Sequence, residues 1–207
     1  YIHLYNTFRA EDPVYFETPR KDKWFLIKPD IAYVNLDQIT KKELDSVFKQ
    51  ISNTKGLILD LRNYPKNFVS ADIAKYLYPK KKEFIKVLAA IENNPSYGEY
   101  DNEAPLKLIM DPFKAGDNNP DYYKGKVLLL VNRRTQSKAE FIGMAIQQSP
   151  NCVTIGEQTA GSVMNIVQYL MPDNTKVNFT GQGAFYPKGE GVQRYGLHID
   201  HYIKESA

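Results

Sequence analysis

Residues 127–141 read VLLLVNRRTQSKAEF. An apolar β run over 127–131 stops in a polar turn, and a helix begins at Ser137 or just after it. That layout sets a hydroxyl beside the first unpaired N–H groups of a helix, where an anion is favoured. Chemistry on a carbonyl needs such a place for its oxyanion. A plain helix cap calls for a serine at the same spot, so the rest of the chain has to decide between the two.

Upstream, residues 24–27 and 31–36 read as two short strands around Pro29 and Asp30. Thr40 and Glu43 form a capping box. Leu44, Val47, Phe48 and Ile51 then recur at helical spacing, which predicts a helix over 41–52. Residues 56–61, GLILDL, are nearly all apolar, as expected of a strand covered on both faces. A helix over 70–78 and a strand over 84–89 complete a β-α-β-α-β run, the pattern of a parallel sheet with crossover helices. Residues 92–124 are rich in turn signals and read as a flap or binding loop, with an inert insertion as the alternative. Downstream, 153–156 is a strand and 158–162 a turn. Two strands over 166–171 and 176–179 are joined by residues 172–175, and a glycine-punctuated, β-rich tail ends the chain.

Composition narrows the function classes. The 207 residues suit one domain, or one domain with a substantial extra segment, and allow a real core; 43% hydrophobic with 25% charged residues is ordinary for a globular protein. The 27 basic and 24 acidic residues leave a net charge of +3. The basic residues are scattered, which argues against nucleic-acid binding. No apolar run reaches the length of a membrane span. Cys152, the single cysteine, reads as a small hydrophobe at the start of a strand. His3, His198 and His201 have no metal-like spacing, so neither a metal nor a cofactor is expected. There is no Gly-x-Ser-x-Gly elbow, P-loop, His-Glu-x-x-His or Cys-x-x-Cys. The chain opens at Tyr1 without an initiator methionine or a signal peptide, as expected of a fragment or processed product. Residues 1–23 read as a connecting segment and 24–207 as the core.

Four segments together are more specific. Residues 57–65, LILDLRNYP, resemble the strand-end signature of the tail-specific (C-terminal processing) serine proteases, usually Asp-Leu-Arg-x-Asn-x-Gly-Gly. Residues 131–140, VNRRTQSKAE, resemble that family's nucleophile segment, and 156–161, GEQTAG, the turn that follows it. Residues 185–200 resemble its C-terminal signature, which usually ends Gly-Ile-x-Pro-Asp. The four come in family order over about residues 31–203.

The resemblance implies an α/β fold: a crotonase/Clp-like core with a mainly parallel sheet, crossover helices and a β-rich C-terminal part. It implies hydrolysis of peptide bonds in a peptide or unfolded-protein substrate through an acyl-enzyme on Ser137, in a periplasmic or otherwise extracytoplasmic setting. The backbone N–H of Lys138 would face the oxyanion, and Lys66 or Asn67 would supply a second donor where the family has glycines. Asp60 and Arg62 read as structural. The bacterial processing branch places its lysine base 25 residues after the nucleophile, at Ser162 here, and a serine cannot serve. The chain is closer to the tricorn-core branch, whose base is a histidine in an upstream cap, supported by a glutamate near the C-terminal signature. Gln193 aligns with that glutamate, and Glu190 lies close enough to substitute. The fragment alone is therefore expected to be inactive or weak. The departures also fit a non-catalytic peptide-binding or scaffolding module on the same fold; an acyl-transfer enzyme of the crotonase layout fits less well.

Overall fold

The structure, a computed structural model, describes residues 22–90, 106–108 and 112–204. His3, the connecting segment up to residue 21 and most of the expected flap lie outside the described residues. The chain builds β1 (Trp24–Lys28), β2 (Ile31–Asn35), α1 (Lys41–Ile51), β3 (Gly56–Asp60), α2 (Ser70–Ala74), β4 (Lys82–Ala90), β5 (Leu106–Leu108) and β6 (Phe113–Ala115). It continues with β7 (Lys126–Val131), α3 (Lys138–Ile146), β8 (Cys152–Gly156), β9 (Ile166–Leu170), β10 (Lys176–Thr180), β11 (Gln182–Phe185) and β12 (His201–Tyr202).

The main sheet has the order β1-β2-β3-β7-β8-β12. Every pairing from β2 to β12 is parallel, and β1 closes one edge as an antiparallel hairpin partner of β2. Strand order rises steadily along the sheet, so right-handed crossovers put the helices on one face; α2 accordingly touches both α1 and α3. This single helical layer corrects the expectation that β3 is covered on both faces, and β7 beside it follows the same pattern. Leu57, Leu59, Val127, Leu129 and Val131 are fully buried, whereas Ile58, Leu128 and Leu130, on the other face, are only half-buried.

Local chemistry explains α1. The Thr40 N–H and hydroxyl both donate to Glu43 Oε2, at 2.8 and 2.7 Å, and Leu44, Val47, Phe48 and Ile51 bury one stripe. The second expected helix behaves differently. It stops at Ala74 and gives way to turns before Pro79. Five helical residues rise only about 7.5 Å, half the length of a five-residue strand, too little to carry the chain back along the sheet. Hence β4 does not join the parallel sheet as the sequence pattern suggests. It pairs antiparallel with β11, β5 and β6 in a second sheet. That layer lies over α3, where Phe84 meets Phe141 edge-on at 5.0 Å.

The C-terminal signature locks onto β8. The Asp200 carboxylate accepts the Thr154 N–H at 2.7 Å, and the Asp200 N–H donates to the Thr154 carbonyl at 3.0 Å. The β9–β10 hairpin pairs only with itself among the described residues and exposes Ile166, Tyr169, Leu170 and Phe179. Among the described residues no helix is long and apolar enough to cross a membrane.

Candidate active site

The turn between β7 and α3 is built from its own polar groups. Asn132 Oδ1 accepts the Arg134 N–H at 2.9 Å, Thr135 Oγ1 accepts the Asn132 N–H at 3.1 Å, and the Thr135 hydroxyl donates to the Leu61 carbonyl at 3.0 Å. The last bond ties this turn to the loop after β3. Ser137 closes the turn with φ 53° and ψ −119°, a backbone state that costs a non-glycine residue about 1–3 kcal/mol. It occupies the N-cap position of α3, yet its hydroxyl makes no capping bond. The side chain is thus half-exposed and not engaged in holding the helix.

Glu140 holds this backbone in place. Its side chain is fully buried. Its carboxylate accepts the Thr159 hydroxyl at 2.6 Å and the N–H groups of Gly161 and Ser162 at 2.7 and 2.9 Å. The Ser137 N–H donates to it as well. Burial pushes this carboxyl's pKa up, and the four donors oppose that shift. One carboxylate therefore fastens the 159–162 turn to the serine. The sequence pattern alone assigns Glu140 no such role. A glutamate in a first helical turn, three residues after the serine, is the available signal.

The facing loop leaves β3 at Asp60. This buried carboxylate accepts the Tyr33 hydroxyl at 2.6 Å, Arg62 Nε and Nη2 at 3.0 and 2.7 Å, and the Arg62 N–H at 3.0 Å. Burial opposes its ionisation, but the bonds from Arg62 and Tyr33 outweigh burial and hold its pKa below the ordinary 3.8. A depressed folded-state pKa contributes stability that is present above about pH 4 and lost as pH falls through the folded value. Asp60→Asn should accordingly lower the urea midpoint at pH 7, by about 2 kcal/mol of stability. It should also flatten the loss of stability between pH 5 and 3 (about the carboxylate range) that the parent protein shows. Equal acid branches for the two proteins would exclude this role for Asp60.

Beyond Arg62 the loop reaches Lys66 and Asn67, both exposed. Among the described residues the non-glycine positions with positive φ are Ser137, Asn174 and Arg194. The 66–67 segment thus follows its path without the freedom of the glycines it replaces. Lys138 Nζ donates across the gap to the Lys66 carbonyl at 3.3 Å. Lys66 Nζ stands 3.9 Å from Asp37. Ser137, Lys138 and Lys66 are brought together; Asn67 follows on the same loop.

The other named residues fall elsewhere or have other work. Gln193 Oε1 accepts the Val163 N–H at 3.0 Å, and its amide donates to the Thr180 hydroxyl, so it pins the base of the β9–β10 hairpin. Ser162 reaches the site through its N–H on Glu140. Glu190, His198, Asp200 and Cys152 line a concavity of about 440 Å³ at the far end of α3. There the His198 carbonyl accepts Gln147 Nε2 at 2.8 Å, and the nine residues of α3 separate it from Ser137 by about 13 Å. His201 pairs with Ile155 at the sheet edge. Burial and then the Asp200 charge push the Cys152 thiol up to about 12, which makes it a poor nucleophile. A second concavity, beside Asp45, Tyr76 and Tyr123, likewise leaves Ser137 out. Among the described residues no group of three His, Cys, Asp or Glu side chains could hold a metal.

Comparison with known proteins converges on one family. Residues 30–203 match the profile of peptidase family S41. A carboxy-terminal-processing protease of Bartonella bacilliformis (strain ATCC 35685 / KC583 / Herrer 020/F12,63) is 23% identical over 193 residues, covering 87% of this chain and 40% of that protein. A solved structure from Parabacteroides merdae ATCC 43184 superposes with a TM-score of 0.71 at 16% identity, over 87% of this chain and 56% of the other. The photosystem II D1 C-terminal processing protease gives 0.58 at 21% identity, over 86% and 43%. These structural likenesses show the fold. The chain spans 40% of the curated relative's length.

Proposed function

The chain belongs to peptidase family S41, and we propose that residues 24–207 are the core of a serine-type endopeptidase acting on peptides or unfolded protein. The observation that carries this reading is Ser137: a strained backbone, a hydroxyl that caps nothing, and a start-of-helix position. In the proposed reaction its Oγ attacks the scissile carbonyl carbon while a base takes the proton. The Lys138 N–H, with that of Lys66 or Asn67, holds the oxyanion. Collapse releases the amine, and water then frees the acid from the acyl-enzyme. The base in this proposal is a histidine from an upstream cap domain of the same protein, so residues 1–207 alone would be inactive or weak. An extracytoplasmic setting belongs to the same proposal and rests on the resemblance to the tail-specific proteases.

Gln193 favours a second reading, a peptide-binding or scaffolding module on this fold. It stands where a carboxylate would support the base, and it is occupied at the hairpin. Fluorophosphonate labelling of the full-length protein separates the two. The peptidase reading expects an adduct on Ser137 and none on Ser137→Ala. A folded protein without adduct supports the binding module.

A further inference from the structure

The chain is nearly charge-balanced, with 27 basic and 24 acidic residues, but the loops around Ser137 are not. Arg134 lies in the serine's own turn, half-buried, and its buried Nε has no hydrogen-bond partner among the described residues. Lys138 follows the serine and reaches the Lys66 carbonyl at 3.3 Å. The Lys66 ammonium faces outward, with its side chain 73% exposed. Arg194 is exposed as well, and its N–H donates to the Gly161 carbonyl at 2.6 Å. Gly161 in turn donates to Glu140 at 2.7 Å, one bond from Ser137. These cations belong to the three loops that meet at the serine: its own turn, the loop after β3 and the segment bonded to the 159–162 turn.

Of the nearby acids, Asp37 faces Lys66, and two others are buried and committed elsewhere. Asp60 is buried and committed to Arg62 and Tyr33. Glu140 is buried and saturated by its four donors. Asp37 is 8% exposed and stands 3.9 Å from Lys66 alone. Glu157, on the turn after β8, is the remaining acid of these loops. Ser137 itself is half-buried, and exposed cations stand on the loops beside it, where they can select a bound chain by charge.

From this juxtaposition we infer that the site selects peptide segments bearing Asp or Glu side chains beside the bond presented to Ser137, with Lys66, Arg194 and Lys138 as the complementary rim. The inference rests on the placement of the reacting carbonyl at Ser137. Exposed charges act through screened fields, so the selection should be sensitive to salt.

The test uses the full-length Ser137→Ala protein and fluorescence anisotropy with three dodecapeptides of one sequence, carrying Asp/Glu, Asn/Gln or Lys at the flanking positions. The acidic peptide should bind about tenfold more tightly than its amide isostere at low salt, and the gap should close as salt rises several-fold. The double variant Lys66→Glu/Arg194→Glu, both changes on exposed side chains, should turn the preference towards the Lys peptide. Equal affinities for the three peptides would overturn the inference, as would a preference that survives the charge reversal. Tighter binding of a single-stranded oligonucleotide than of the acidic peptide would overturn it too. Binding is read without turnover, so a failure of fluorophosphonate labelling would strike the peptidase reading and leave this result to stand or fall alone.

Discussion

Glu140→Ala should abolish fluorophosphonate labelling of Ser137 and lower stability by about 3–5 kcal/mol in urea denaturation. The substitution leaves the Gly161 and Ser162 N–H groups and the Thr159 hydroxyl without their acceptor in a closed interior. Each buried group without a partner costs about 1–3 kcal/mol, less whatever an entering water restores. The effect on Ser137 has a separate cause. Its positive φ persists only while the surroundings over-determine it. Without the carboxylate on its N–H, the serine can relax to ordinary N-cap geometry and spend its hydroxyl on the helix. Glu140→Gln distinguishes shape from charge. The amide keeps one acceptor oxygen but sets an NH₂ group against backbone donors, so labelling should still fall by about tenfold or more. A Gln variant with parental stability and labelling would show that the acceptor oxygens are dispensable.

How far these features could be read from the sequence depends on the range of the interactions that make them. The capping box at Thr40, the apolar stripe of α1 and the turn that joins β9 to β10 are local, and each forms where the pattern predicts. The parallel run through β3, β7 and β8 is also legible, because near-continuous apolar strands alternating with helical spacing admit few topologies. The path of β4 is not. It turns on a helix that ends at Ala74 rather than Tyr78, and on Phe84 finding Phe141 across a layer. No window of sequence contains both ends of that contact.

The same division runs through the site. Ser137 is visible as a serine between a strand and a helix, but its positive φ is not, since no flanking glycine announces it. Gln193 is visible by alignment, yet its partners are Val163 and Thr180, chosen by the fold of the hairpin. Glu140 was in plain view three residues after the serine. Its role depends on the 159–162 turn arriving from another strand. The backbone scaffold of the candidate site is thus local and readable, and the bonds that hold it are long-range.

Gly156→Ala is expected to be among the most damaging single changes in the chain, costing about 4 kcal/mol or more and taking Ser137 labelling with it. Gly156 ends β8 opposite Val131, the last residue of β7 before the nucleophile turn. A Cβ there would sit 1.9 Å from the Val131 carbonyl oxygen. Both partners are backbone, so no rotamer change can relieve the overlap, and one strand end must shift by an ångström or more. The Val131 carbonyl also accepts the Glu157 N–H at 3.3 Å, and the Gly156 carbonyl accepts the Ile203 N–H at 3.0 Å. Displacement therefore disturbs the nucleophile turn and the C-terminal strand together. Gly189 provides the control. Its φ of +104° is comparably unfavourable for alanine, while nothing lies within 4 Å of the Cβ it would gain. Gly189→Ala should show the backbone cost alone, about 1 kcal/mol, with labelling intact. If the two variants unfold at the same urea concentration, the close approach of β7 and β8 is not what fixes the serine.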